Sequence, residues 1–226
     1  MKKTIISISL FFLLGTFLYS KPLNIGFITG LALPNENVSQ FFHQAKNIPL
    51  DSVTTGSYLL DKATSAGYIF CVKGRIELTK TFDLVAGIGL ARFNEGRYDL
   101  TVPTAVVPAM DTTIAQIQST SNVVPISVGI NAYLLKSFIG LYATGDVNYN
   151  YISYSYDIVW KNAPSIPITR SENDSRLGYG FGVGLDLNLS LFKINLEAKF
   201  NSANIIGRVG DEQQKDYGTI TLGIIF

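Results

Sequence analysis

Residues 177–191 read Leu-Gly-Tyr-Gly-Phe-Gly-Val-Gly-Leu-Asp-Leu-Asn-Leu-Ser-Leu. Every odd position from Leu177 to Leu191 is apolar, and every even position is glycine, Asp186, Asn188 or Ser190. A β-strand sends successive side chains to opposite faces, so this stretch has one face of hydrocarbon and one of glycine and polar groups. A helix would scatter the same leucines around its circumference. Uninterrupted alternation over this length identifies a strand.

The same period runs through the rest of the chain. Tyr68, Phe70, Val72, Ile76 and Leu78 oppose Ile69, Cys71, Lys73, Arg75 and Glu77. Phe82, Leu84, Ala86, Ile88 and Leu90 oppose Asp83, Val85, Gly87, Gly89 and Ala91. Val124, Ile126, Val128, Ile130, Ala132 and Leu134 oppose Ser127, Gly129, Asn131 and Tyr133. Ile139, Leu141, Ala143, Val147 and Tyr149 oppose Gly140, Tyr142, Thr144, Asp146 and Asn148. Ile194, Leu196, Ala198 and Phe200 alternate with Lys193, Asn195, Glu197 and Lys199. The last such run sets Gly218, Ile220, Leu222, Ile224 and Phe226 against Tyr217, Thr219, Thr221 and Gly223. The first run, Asn24 to Leu33, is the weakest, with Ile25, Phe27, Leu31 and Leu33 against Gly26, Gly30 and Ala32. Eight strands result.

The links between them supply an independent check. Thr79-Lys80-Thr81, Lys136-Ser137 and Ser190 to Phe192 have the length of hairpin turns. Pro34 to Ala66, Asn94 to Ser121, Lys161 to Ser175 and Gly207 to Lys215 are long. Long and short alternate strictly. Transmembrane barrels show this asymmetry, with short periplasmic turns and longer external loops. The predicted fold is an all-β, eight-stranded, antiparallel up-and-down transmembrane β-barrel with both chain ends on the periplasmic side.

Polarity decides which face meets what. A soluble eight-stranded ligand-carrying barrel has an apolar interior and a solvated exterior. Here the polar face carries the glycines and a balanced set of charges, and the apolar face carries the bulk. Small residues suit the crowded interior of a narrow barrel. Slipping the second strand by one residue would turn Lys73, Arg75 and Glu77 toward hydrocarbon. Each basic residue near the midplane would then cost roughly 2–4 kcal/mol, against a total stability of about 5–15 kcal/mol. Register is thus held by charge as well as by apolar area. Phe82, Phe138, Phe192 and Phe226 mark the turn-side ends of strands, while Tyr68, Tyr149, Tyr151, Tyr179 and Phe200 lie toward the loops. Two such bands match the aromatic girdles of a membrane barrel.

Composition agrees. Charged residues make up 15% and hydrophobic ones 47% of the 226 residues, and that charged share is well below the roughly 25% usual for soluble domains. Disorder is excluded, and a formal charge of +1 suggests no polyelectrolyte partner. Cys71 is the single cysteine, so no internal disulfide or cysteine metal site is expected. At the amino terminus, basic Met1-Lys2-Lys3 precedes an apolar run from Thr4 to Tyr19, then Ser20 before Lys21-Pro22. This reads as an export signal peptide over residues 1–20 rather than a membrane anchor, followed by a barrel domain over 21–226. Losing Lys2 and Lys3 takes the formal charge from +1 to −1. No later run approaches the length of a transmembrane helix.

Ile25 to Gly30, Val123-Val124-Pro125-Ile126, Gly178 to Asn188 and Gly223-Ile224-Ile225-Phe226 together resemble the eight-stranded outer-membrane β-barrel families. The resemblance is to the porin-like and small OmpA- and OmpX-type barrels, in particular a group abundant in Bacteroidetes-type bacteria. It covers nearly the whole of residues 21–226, with the first strand and the long first loop departing most. It implies residence in the outer membrane and contact with outer-membrane lipids. It also implies recognition by the barrel assembly machinery through a carboxy-terminal aromatic, a position filled here by Phe226. It specifies architecture well and activity hardly at all.

Candidate chemistry sits mainly on the inward face. Lys73, Arg75, Glu77, Asp83, Asp146, Asp186, Glu197 and Lys199 are all expected to point into the lumen. Buried charges must be paired, so these groups form either a network that plugs the lumen or the lining of a narrow solute path. An eight-stranded interior is normally filled by side chains, which favours the plug. An enzyme, for example one that modifies lipid, would need a nucleophile or base. The only histidine, His43, lies within Gln40-Phe41-Phe42-His43-Gln44 of the first long loop and faces no partner carboxylate. Gly178-Tyr179-Gly180-Phe181-Gly182 superficially matches a dinucleotide fingerprint, but it is pure period two with no following helix. Glu172-Asn173-Asp174 offers loop carboxylates to calcium but reads as an ordinary polar loop. No catalytic residue, cofactor or metal site is assigned, and nucleic acid is not an expected partner. Three readings follow in order: a non-enzymatic structural or binding barrel, a small-solute channel, and an outer-membrane enzyme. External segments remain the candidates for specific binding. Tyr98 to Val107 and Thr112 to Thr120 read as extensions of the third and fourth strands, and Tyr151 to Trp160 as a tyrosine-rich projection.

Overall fold

A computed structural model of the chain describes residues 23–34, 47–49, 64–103, 111–160, 168–206 and 214–226. The expected signal peptide and His43 lie outside the described residues. Among the described residues, eight long strands run in chain order: β1 (Leu23–Pro34), β2 (Thr64–Glu77), β3 (Phe82–Pro103), β4 (Asp111–Lys136), β5 (Ile139–Trp160), β6 (Ile168–Asn188), β7 (Lys193–Ile206) and β8 (Asp216–Ile225). Each pairs antiparallel with its sequence neighbours, and β1 also pairs with β8. The ring is closed. At the seam, Ile25 and Phe226 exchange backbone hydrogen bonds of 3.0 and 2.9 Å. A three-residue segment, Asn47–Pro49, lies parallel to Asp99–Thr101 of β3 outside the ring.

Register fixes the tilt. Starting at Leu23, the paired residues run Ile76, Leu84, Ile130, Gly145, Phe181, Phe200 and Gly218, and return to β1 at Leu33. The circuit is thus displaced by ten residues along β1. With about 3.3 Å per residue and about 4.7 Å between strands, that stagger corresponds to a tilt of about 40°, as membrane barrels require.

The outward face carries large exposed apolar side chains, among them Phe27, Phe70, Ile88, Ile126, Val147, Phe181 and Leu222. A continuous apolar belt of this size is not the surface of a water-soluble domain. Its solvent is hydrocarbon, and closure leaves no unpaired strand edge in that hydrocarbon. Among the described residues no helix is long and apolar enough to cross a membrane; the crossing is made by strands. Turn-side Phe82, Phe138 and Phe226 and loop-side Tyr68, Tyr149 and Tyr151 are all exposed outward, as girdle residues should be.

The short turns fall where expected. Thr79 Oγ1 accepts backbone hydrogen bonds from Thr81 and Phe82, closing the β2–β3 turn. The long links differ from expectation. Asn94 to Ser121 is mostly strand, with β3 and β4 paired as far as Pro103 opposite Asp111. Within Lys161 to Ser175, β6 begins at Ile168 and pairs with β5 from Ile158 onward. The Glu172-Asn173-Asp174 stretch therefore lies in β6, not in a loop. These segments leave the membrane as sheet because Val, Thr, Tyr and Ile favour extended backbone whatever solvent they face.

Candidate functional site

The lumen is built in layers from the turn side upward. At the turn-side mouth, the Lys136 ammonium lies 2.8 Å from Asp83 Oδ1 and 3.2 Å from Glu77 Oε2. Asp83 is buried, but Glu77 is about half exposed. Glu77 therefore departs from its expected place: as the last residue of β2 it sits at the rim rather than in the lumen.

Above the mouth, β2 and β6 bring Arg75 and Asp186 together. Arg75 Nη1 donates to Asp186 Oδ2 at 2.8 Å and to Oδ1 at 3.1 Å, while Nη2 donates to Tyr142 Oη at 2.9 Å. Asp186 also accepts from Tyr133 Oη at 2.7 Å and from Asn195 Nδ2 at 2.7 Å. The guanidinium lies 5.1 Å from the centre of the Tyr142 ring, within cation–π reach. Asp186 is 1% and Arg75 2% exposed. A buried ion pair is tolerable only when its remaining hydrogen-bonding capacity is filled, and two tyrosines and an asparagine fill most of it here. Tyr142 Oη, which also receives Asn195 Nδ2 at 2.8 Å, donates its own proton to Glu197 Oε2 at 3.0 Å. One donor and two acceptor sites exhaust a phenol. A Cβ at Gly184 would overlap the Tyr142 ring, so β6 needs glycine at that position to admit the ring.

The middle layer holds two further ion pairs. Lys73 Nζ bonds Glu197 Oε1 at 2.6 Å, and Lys199 pairs with Asp146. Asn148 Nδ2 donates to Asp146 Oδ1 at 3.2 Å, and Asn150 Nδ2 donates to Asn148 Oδ1 and to the Ala203 carbonyl. Lys73, Arg75, Asp83, Asp146, Asp186, Glu197 and Lys199 thus lie together inside, each paired. Tyr133, Tyr142 and Asn195 share their face in the period-two reading, but nothing in one strand announces which side chain answers from across the lumen. Lys136 is hidden, at the sequence level, in a turn dipeptide.

Toward the loops the filling changes. Ile28, Ala32, Ile69, Cys71, Ala91, Phe93, Val123, Ile152, Ala203 and Tyr217 form one buried cluster, with Phe93 set edge-on to Tyr217 at 5.5 Å. The lumen is therefore not polar throughout. Its loop-side third holds this apolar cluster beside buried Ser121, Asn150, Ser202 and Asn204.

Above this cluster, among the described residues, β3 to β6 continue as a paired sheet past the ends of β1, β2, β7 and β8. From the level of Tyr68 opposite Arg92, β3 runs on to Pro103, roughly 36 Å along the strand at about 3.3 Å per residue. The outward face of this raised wall is polar, with Gln116, Gln118, Thr120 and Asn122 on β4, Ser153, Ser155 and Asp157 on β5, and Ser171, Asn173 and Ser175 on β6. Its other face continues from Ile152 to half-buried Ile158 and Trp160. The outer face turns from apolar to polar where the strands leave the hydrocarbon, while the inner face of β6 carries the Arg176–Asp174 ion pair at 3.2 Å.

The chain has the fold of the eight-stranded outer-membrane barrels. Solved structures similar in shape include a major outer membrane protein from Thermus thermophilus (TM-score 0.49, 12% identity, 91% of this chain and 99% of that one). They also include Ail, the attachment invasion locus protein of Yersinia pestis (TM-score 0.43, 11% identity, 91% and 97%). A third is the outer membrane protease OmpT of Escherichia coli (TM-score 0.44, 13% identity, 72% and 63%). No protein-family model matches the sequence, and no curated protein matches it. Among the described residues no group of His, Cys, Asp and Glu is arranged to hold a metal ion.

Proposed function

We propose that this chain is a closed barrel of the outer membrane, non-enzymatic, whose working surface is the raised wall of β3 to β6. One observation carries the reading: a transmembrane ring needs no strand longer than about 9–11 residues, yet β3, β4, β5 and β6 have 22, 26, 22 and 21. The excess is ordered sheet whose outer face is mostly hydroxyls and amides, with aromatic residues at hand. Such surfaces suit hydrogen-bonded recognition on a rigid scaffold. The lumen, filled by ion pairs below and apolar side chains above, supports no solute path.

Two experiments test this. In planar bilayers the purified barrel is expected to give no resolvable single-channel steps; steady steps would replace this reading with the channel. The wall can be trimmed in register by joining Gly96 to Ser119 and Tyr154 to Glu172 through tight turns, since both pairs are rungs of the ladder. Cells displaying the full and trimmed barrels would be compared for retention on immobilised extracellular proteins and glycans. Retention by the full chain alone, with both still migrating as folded barrels on unboiled gels, is the expected result. Equal behaviour of the two would remove the wall from the function.

A further inference from the structure

Between the Arg75 layer and the Phe93 layer, exposure inside the lumen rises again. Lys73, Lys199 and Asp146 keep 13%, 12% and 10% of their side-chain surface accessible. The Arg75 layer below and the Phe93 layer above keep almost none. A cavity of about 40 Å³ lies at this level, lined in part by Cys71, Lys73, Ser127, Asn148, Glu197 and Lys199. Its lining is mixed, with charged and amide groups on one part and apolar side chains on the rest, and it is large enough for a few waters. Ile28, Ile69, Cys71 and Tyr217 of the buried cluster also line it, so the thiol sits at the lower edge of that cluster.

We propose that the lumen encloses a hydrated chamber whose outward seal is the apolar layer of Ile28, Phe93, Val123, Ile152 and Tyr217, not the ion pairs. The inference rests on the closed-lumen reading and adds to it which layer bars entry from the loop side. The physical reason is that an ion pair offers hydrogen-bonding groups to an arriving water or ion, whereas a packed apolar layer offers none. Hydrophobic constrictions close pores by excluding water. Ile152 and Ile28 are 0% and 1% exposed, and Phe93 and Tyr217 pack edge-on in the same cluster.

Cys71, the only cysteine, lines the chamber and serves as a built-in reporter. The full chain would be reconstituted in vesicles with its loops outward and treated from outside with a small, charged, membrane-impermeant methanethiosulfonate. In the wild type Cys71 is expected to react at least ~100-fold more slowly than in urea-unfolded protein. Phe93→Ala combined with Ile152→Ala should raise the rate at least ~10-fold while unboiled gel mobility stays that of a folded barrel. If that variant does not fold, Ile28→Ala with Val123→Ala is a smaller excavation of the same layer. Rapid labelling of the wild type, or an unchanged rate in a folded variant of either kind, would overturn the seal. Wild-type conductance is a separate readout: channel steps there would defeat the closed lumen itself, whereas a silent barrel with freely labelled Cys71 would defeat only the apolar seal.

Discussion

Replacing Arg75 by methionine keeps the length of the side chain and removes its charge. The change deletes both contacts to Asp186 and the one to Tyr142, and leaves a carboxylate that is 1% exposed with only Tyr133 and Asn195 for company. Breaking a buried pair by removing one partner typically costs about 3–5 kcal/mol. The two remaining neutral hydrogen bonds, worth about 1 kcal/mol each, place the expected loss near the lower end, about 3 kcal/mol. That is a large part of a typical stability of about 5–15 kcal/mol. Arg75→Lys should fall between, because one ammonium cannot hold both Asp186 oxygens and Tyr142 Oη in the same geometry. The decisive variant is Arg75→Met combined with Asp186→Leu, which removes the stranded charge. It should recover most of the loss, since an apolar replacement of a buried pair is often nearly neutral. Urea unfolding in lipid, followed by the mobility of unboiled samples, gives the four free energies of the cycle. A loss under about 1 kcal/mol for Arg75→Met, or a double variant as unstable as the sum of the singles, would refute the view that Asp186 depends on Arg75.

Gly184→Val should force the Tyr142 ring out of place, costing about 1–3 kcal/mol from overpacking alone, and should be much milder in a Tyr142→Ala background; equal costs in the two backgrounds would show that the ring does not rest on Gly184. Val183→Arg, on the lipid face of the same strand, should cost roughly 2–4 kcal/mol near the midplane, while Ser155→Arg on the outer face of the raised wall should change stability by less than about 0.5 kcal/mol. Similar urea midpoints for those two variants would mean that the membrane boundary has been drawn in the wrong place.

Much of the fold was legible because a membrane barrel sets its two faces in strong contrast. From Leu177 to Leu191 glycine and polar residues alternate with apolar ones without a break, and the structure places that odd series outward. The weakness of the Asn24 to Leu33 run has a physical cause. Ile28 and Ala32 are the β1 contribution to the apolar layer, so both faces of β1 are apolar there and the alternation fades. Ile69, Val123 and Ile152 blur their strands for the same reason. The sequence-level view of a uniformly polar lumen failed at these positions, because a filled interior does not have to be a charged one. The raised wall was only partly legible. Once strands leave hydrocarbon, an outer face of Ser, Thr, Gln and Asn reads like loop, although the β-branched and tyrosine content of Tyr98 to Val107 and Tyr151 to Trp160 still pointed to extended chain. The ionic partners were legible as a set and not as pairs, since pairing across the lumen depends on the ten-residue stagger, which no single strand encodes.

The boundary between the two solvents can be placed from the rungs themselves. Ile126, Tyr149 and Leu177 are paired in one rung and are exposed outward as apolar groups. Four residues further along β4, Asn122, Ser153 and Asn173 form another rung whose outward side chains are all polar. The change is complete within about 13 Å of strand, at about 3.3 Å per residue. Ring closure ends near the same height, where β1 and β2 make their last rung at Ala32 and Gly67 and β7 and β8 at Ser202 and Asp216. Both facts follow from one requirement. In hydrocarbon an unpaired strand edge is too costly to leave open, so the sheet must close; in water the edge can be hydrated, and closure is no longer demanded. The described parts of four strands end near that height. The other four continue although neither crossing the membrane nor closing the ring requires it.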